Sequence, residues 1–203
     1  MNPSVNERMV QFFAQRAGGR SLGITQLQKL FYMADLHARE YLGRPISTLN
    51  YTFYRHGPFD KQLYRIVDRA GGRKWIRKQT QQLNRGESTR IYDDGPKEDE
   101  LGFSPAELHV LDYVARTYEH MPLDELLDTV YRTEPMKAAG RDGRVPMEMV
   151  DNRARRALGY HLEEVLGEED AIRRGDSIAA SDFFDALHAG IVPGDSPQHP
   201  GIR

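Results

Sequence analysis

Along the first 140 positions apolar residues recur at the three-to-four-residue spacing of helices, interrupted by two short alternating stretches. The densest stripe is Leu27, Leu30, Phe31, Ala34, Ala38 and Tyr41, which predicts a central helix. Thr25 is placed to cap its start with a hydroxyl acceptor, and Gly43 and Pro45 are placed to end it. An earlier helix is predicted over 4–17. Ser4 and Glu7 have the spacing of a capping box, Val5, Met9, Phe12 and Phe13 form the inward stripe, and Gly18-Gly19 stops it. Residues 50–54 alternate as a half-buried strand. Gly57-Pro58 then breaks the chain, with Pro58 suited to the first turn of the next helix. That helix is predicted over 60–70, with Leu63, Ile66, Val67 and Ala70 inward and Gly71-Gly72 as its stop.

Residues 74–93 read as a β-hairpin turning at Asn84-Arg85-Gly86, followed by an acidic linker over 95–102. Ser104-Pro105-Ala106-Glu107 combines an N-cap, a first-position proline and a capping-box glutamate. It starts a helix that buries Leu108, Leu111, Val114 and Ala115. Pro122 opens another, with Leu123, Leu126, Leu127 and Val130 inward, and a short piece over 133–139 is interrupted by Pro135. Residues 141–144 form a loop, 146–165 a helix, and Ser177 or Ser181 caps a last helix to Leu187. The tail 190–203 holds Pro193, Gly194, Pro197 and Pro200 and reads as disordered. The expected fold is mainly α with a small antiparallel β element. It divides into a compact helical domain over 1–140, a helical extension over 141–189 and the tail.

Composition narrows the class. Of 203 residues, 39% are hydrophobic and 29% charged, and no apolar run reaches the roughly 18 residues of a membrane helix. There is no cysteine, so disulfides and thiolate metal sites are excluded. With no signal-peptide pattern at its start, the chain is expected to be cytoplasmic. Net charge is −2 but uneven: residues 1–92 carry 16 Lys and Arg against 6 Asp and Glu, and residues 93–203 carry 12 against 24. A basic face for a partner and mutual neutralisation within one fold both account for this asymmetry.

A catalytic constellation is not legible. GxSxG, GxxxxGK, GxGxxG and HExxH are all missing, and the seven histidines are scattered. His37 and Glu40 lie one helical turn apart, but two ligands do not make a metal site, and a solvated helix face explains them more simply. No enzyme activity, cofactor or metal is therefore expected. Two clusters remain. Lys29, Tyr32, Asp35 and Arg39 occupy the side of the central helix away from its stripe. That side is either a partner-binding face or a solvated one with an Asp35–Arg39 pair. Arg73, Lys74, Arg77, Lys78, Arg85 and Arg90 surround the hairpin, either as a DNA-binding wing or as charges that block edge-to-edge strand pairing.

The segments Leu27-Gln28-Lys29-Leu30-Phe31-Tyr32 and Tyr54-Arg55-His56-Gly57-Pro58 resemble the Panacea domain, the SocA-like antitoxin domain often carried by phages. In that family a helix reads roughly LQKLLY and an extended segment ends YGP. Here Arg55-His56 intervenes between the tyrosine and Gly57. A weaker likeness follows over 111–139, at Tyr118, Leu123, Leu126, Leu127 and Pro135. The resemblance implies an antitoxin that neutralises a cognate toxin by direct contact, in some members by handing it to a protease. Partner binding is then placed at Lys29, Tyr32, Asp35, Arg39, Tyr54, His56, Gly57 and Pro58, against a plainer reading in which Tyr32 and Tyr54 are core or core-edge aromatics and His56 is satisfied by backbone groups at the corner. The alternative is a DNA-binding regulator using the basic hairpin.

Overall fold

A central helix clasped by three others, a small sheet and a short hairpin forms the frame of the computed structural model, which describes residues 3–83, 86–95 and 101–150. In chain order the elements are α1 (Val5–Arg16), β1 (Leu22–Gly23), α2 (Ile24–Leu42), β2 (Thr52–Tyr54), β3 (Gly57–Phe59), α3 (Gln62–Gly72), β4 (Ile76–Leu83), β5 (Gly86–Asp93), α4 (Pro105–Tyr118), α5 (Leu123–Tyr131) and α6 (Glu134–Ala138). A 3-10 turn at Met147–Met149 follows. This is the expected α+β class. The expected helices beyond residue 150, the tail, and the turn residues Asn84 and Arg85 lie outside the described residues.

Both predicted capping boxes form. The Ser4 side chain accepts from the Glu7 N–H while Glu7 accepts from the Ser4 N–H, and Ser104 and Glu107 repeat the arrangement. Each exchange satisfies two backbone donors that the first helical turn leaves without intrahelical partners. Gly43 closes α2 in the left-handed region at φ 70°. The opening of α2 differs from expectation. Leu22 and Gly23 pair with Ile91 and Arg90 of β5, so the chain passes directly from strand into helix at Gly23, and Thr25 is already inside the helix.

The predicted basic hairpin is β4–β5, antiparallel from Ile76↔Asp93 to Leu83↔Gly86, and β1 extends it to the order β1-β5-β4. A second antiparallel pair was not foreseen. Gly57–Phe59 folds back on Thr52–Tyr54 in the register Thr52↔Phe59, Phe53↔Pro58 and Tyr54↔Gly57. Arg55-His56 is thus a two-residue turn, and Pro58 lies in a strand rather than in a helix. A two-stranded ribbon has outer edges, where a residue without an N–H forfeits no ladder bond. Helix α3 starts later, at Gln62, after Asp60 has accepted a hydrogen bond from the Gln62 N–H.

The core runs through α1, α2, α3, α4 and α5. Met9, Phe12, Phe13, Leu27, Leu30, Phe31, Ala34, Leu63, Leu111, Val114, Leu126 and Val130 are all fully excluded from solvent. Of the predicted inward residues, Val5, Tyr41, Leu108 and Leu127 are only partly buried, and Leu123 is exposed, because Pro122 caps α5 and leaves its first turn on the surface. Pro135 does not interrupt α6 but lies in its first turn. Residues after α6 return to the core. The Val145 N–H donates to the Tyr51 carbonyl, the Phe53 N–H donates to the Gly143 carbonyl, and Val145 and Met147 are buried. Where the helix over 146–165 was expected to begin, Pro146 caps a 3-10 turn and Val150 is extended.

Candidate partner-binding site

The polar side of α2 does not face solvent. Lys29, Tyr32 and Asp35 are buried, as is Gln28, and only Arg39 of the predicted face is partly exposed. The reason is geometric. The β2–β3 ribbon, the connection from Gly43 to Tyr51 and the α5–α6 junction all lie over that side of the helix, and each is tied down by one polar residue. Successive turns of α2 therefore clamp successive segments of chain.

Gln28 uses both ends of its amide on residue 60. Its Nε2 donates to the Asp60 carbonyl at 2.9 Å, and its Oε1 accepts from the Asp60 N–H at 3.2 Å. Lys29 Nζ donates to the Pro58 carbonyl at 2.8 Å, with no carboxylate beside it among the described residues. Burial alone pulls its pKa down to about 7. Tyr32 meets Thr133 Oγ1 at 2.6 Å, and since the Thr133 hydroxyl already donates to the Val130 carbonyl, Tyr32 is the donor. Burial raises the Tyr32 pKa, which keeps the phenol protonated.

Asp35 gathers the loop after α2. Its Oδ1 accepts from the Ile46 N–H at 3.0 Å and the Ser47 N–H at 2.7 Å. Its Oδ2 accepts from Tyr51 Oη at 2.7 Å and from Ser47 Oγ. Burial pushes the Asp35 carboxyl above its ordinary range, and these donors oppose the rise. The Tyr51 ring stands edge-on to Tyr32, with centroids 5.4 Å apart, so the two clamps share a wall. The Asp35–Arg39 pair expected of a solvated face is replaced by these four bonds. A buried carboxylate that accepts several hydrogen bonds is far less costly than an unpaired one.

The ribbon on the other side of these clamps carries the second motif. Gly57 sits at φ +85°, a region that strains any side-chain-bearing residue, and a Cβ there would meet Val130, Tyr131 and Lys29 at 3.6–3.8 Å. The dihedral, rather than the space, is what demands glycine. Gly57 and Pro58 are buried, while Tyr54 and His56 are exposed. Of the eight predicted contact residues, then, five are internal, Arg39 is half-buried, and Tyr54 and His56 lie on the surface. The first motif and the second are two halves of one internal joint. Exposed neighbours in the same region, Arg55, Lys61, Tyr64 and Arg65, were not singled out from the sequence. Their signal lay in the diagonal approach of Tyr54 to Phe59 across a hairpin that the Gly-Pro break concealed.

The basic hairpin is less of a unit than its sequence suggests. Arg73 pairs with Glu7 at 3.2 Å, and Lys78 forms an ion pair with Asp68 of α3. The register puts Arg77 and Arg90 on one face, with Arg77 stacked 4.3 Å from the Tyr92 ring centroid, and Lys78 on the opposite face. Lys74 is exposed at φ 59°, and Arg85 lies outside the described residues. The expected row of phosphate contacts is thereby divided between two faces and partly neutralised.

His37 is also internal in character. Its Nδ1 contacts Glu40 at 3.0 Å, its Nε2 contacts Tyr118 Oη at 3.2 Å, and its ring stacks against Tyr41 and Tyr118. No group of three or more metal-binding side chains occurs among the described residues, and no helix there is long and apolar enough to cross a membrane. Residues 27–135 match a family model described as antitoxin SocA-like, Panacea domain. No curated protein and no solved structure matches the chain.

Proposed function

Because the chain belongs to the SocA-like, Panacea-domain antitoxin family, we propose that it is a non-catalytic, cytoplasmic antitoxin that neutralises a cognate toxin by direct protein contact. The family match over more than half the chain carries this reading, since it begins at Leu27 and takes in both halves of the joint beneath the ribbon. The physical support is that the joint fixes a surface. Lys29, Tyr32, Asp35, Gly57 and Pro58 act from inside, holding the ribbon in one position, and Tyr54 and His56 present the contact. A fixed surface binds without first losing conformational freedom. The nucleic-acid alternative draws no such support from the divided cations of β4 and β5.

The test is co-expression with the product of the neighbouring reading frame. The expected result is that the neighbour alone arrests growth, that this chain restores growth, and that the two co-purify. A neighbour that is harmless alone, or a rescue without a complex, overturns the reading. Toxin half-life separates the two modes of neutralisation: occlusion leaves it unchanged or lengthened, and hand-over to a protease shortens it.

A further inference from the structure

Where the ribbon meets the start of α3, three aromatic rings form a ladder on the surface. Tyr54 lies 5.4 Å from Phe59 with the rings tilted by 41°, and Phe59 lies 6.1 Å from Tyr64 at 55°. Tyr54 is 45% exposed and Tyr64 46%, whereas Leu123 and Met149 are the only other large apolar side chains so open among the described residues. Arg55, Lys61 and Arg65 rim the ladder and are exposed. Arg55 lies over the Tyr54 ring at 5.6 Å. None of the three forms a salt bridge among the described residues, in contrast to Arg16, Arg20, Arg44, Arg69 and Lys78, each of which does.

The acids nearest in sequence among the described residues, Asp60 and Asp68, do not offset this charge. Asp60 is buried, with its carboxylate accepting from the Asn50 and Gln62 N–H groups, and Asp68 is paired with Lys78. We infer that the Tyr54–Phe59–Tyr64 ladder with its rim of Arg55, Lys61 and Arg65 is the toxin-docking surface, and that it receives an acidic protein segment carrying apolar side chains. The inference rests on the antitoxin reading above.

Three features point to that partner. Exposed tyrosines and arginines are the residues that concentrate binding energy at protein interfaces. A cationic rim without a salt bridge among the described residues steers an acidic partner and discriminates against basic ones. The backbone beneath the ladder is held by Lys29 at Pro58 and by Gln28 at Asp60, so the rings are presented without a folding cost. A nucleobase is a poorer fit, because stacking needs an open flat ring. Here the rings tilt into one another, and Arg55 covers the face of Tyr54.

Isothermal titration of the full chain against the product of the neighbouring reading frame tests the surface. Changing both tyrosines, Tyr54→Ala with Tyr64→Ala, is expected to weaken binding at least about thirtyfold. Arg55→Glu with Arg65→Glu is expected to weaken it about tenfold or more and to flatten its salt dependence. Leu123→Ala, an exposed apolar residue elsewhere, leaves affinity unchanged. Melting temperatures separate lost contact from lost fold, and if the tyrosine pair unfolds the chain, the charge-reversal pair decides. Wild-type affinity in a folded variant of either pair overturns the surface while leaving the antitoxin reading standing. A wild-type chain that does not bind the neighbour overturns both. A single-stranded oligothymidylate that binds the wild type and not the tyrosine pair, with toxin affinity unaltered, assigns the ladder to nucleic acid instead.

Discussion

Lys29 offers the sharpest test of the joint beneath the ribbon. Its ammonium is buried against the Pro58 carbonyl, and its pKa falls from 10.5 to about 7 because burial disfavours the charged form. The sign follows from proton counting. Between about pH 7 and pH 9 the unfolded chain keeps this proton while the folded chain releases it, so stability rises with pH across that window. Integrating the proton difference over those two pH units gives about 2 kcal/mol. Lys29→Met keeps the length of the side chain and removes the titration. It also leaves the Pro58 carbonyl without its donor, an offset of about 1–3 kcal/mol that does not vary with pH. The measurement is urea unfolding of both full chains at about pH 7 and about pH 9, with equal slopes confirming that the same surface is exposed. The expected outcome is that the wild type gains about 2 kcal/mol more than the variant on going to the higher pH. Parallel stability curves would refute a buried, carboxylate-free Lys29. The window closes on the alkaline side, where Tyr32, Tyr51 and Tyr118, all raised by burial, stay protonated only in the folded chain and make stability fall again as pH rises.

Three further outcomes are expected of the full chain in denaturant titrations. Leu30→Ala, at a fully buried position, should cost about 2–5 kcal/mol, and Leu123→Ala, on the surface, no more than about 0.5 kcal/mol; equal losses would contradict the central place of α2. Gly57→Val should cost about 1–3 kcal/mol because a β-branched residue is forced to positive φ, whereas Gly140→Ala, in open space, should be close to neutral; a tolerated valine would mean that the ribbon turn is not held in this conformation. Tyr51→Phe should cost about 1–3 kcal/mol by removing one donor from buried Asp35, and a loss under about 0.5 kcal/mol would show that Ser47 and the loop amides satisfy the carboxylate unaided.

Local signals were read well from the sequence. Both capping boxes, the left-handed Gly43, the β4–β5 hairpin and the stripe of α2, buried from Leu27 to Ala38 with Tyr41 partly exposed, follow from interactions within a few residues of each other. What escaped was long-range. An amphipathic pattern assigns the polar side of a helix to solvent, and although the ring of Tyr32 reads as core or core edge, nothing in the spacing of Lys29 and Asp35 says that other segments will cover them. Their partners lie 29 positions away at Pro58, 101 away at Thr133 and 11–16 away at Ile46, Ser47 and Tyr51. The β2–β3 ribbon was missed for a related reason. Gly57-Pro58 carries the strongest break signal in the region, and a turn just before the break, at Arg55-His56, made the same residues the return strand.

The two motifs that carry the family likeness thus explain each other in physical terms. Helix α2 needs polar residues on its covered side because the ribbon and loops laid there bring backbone carbonyls and N–H groups out of water, and each must find a partner. Apolar residues at 28, 29 and 35 would bury that side equally well but would leave the Pro58 and Asp60 carbonyls and the Ile46 and Ser47 N–H groups unsatisfied. A directional bond at each turn of the helix also fixes where the ribbon lies, which nonspecific apolar contact does not. On the proposed antitoxin reading, the consequence is a division of labour within one short stretch. Gln28, Lys29, Tyr32, Asp35 and Gly57 set the position of the ribbon from below, and Tyr54, Phe59 and Tyr64 are what that positioning displays. Substitutions in the first group should therefore act on binding and stability together, and substitutions in the second on binding alone. The ratio of those two effects, residue by residue, distinguishes a positioning joint from a direct contact face.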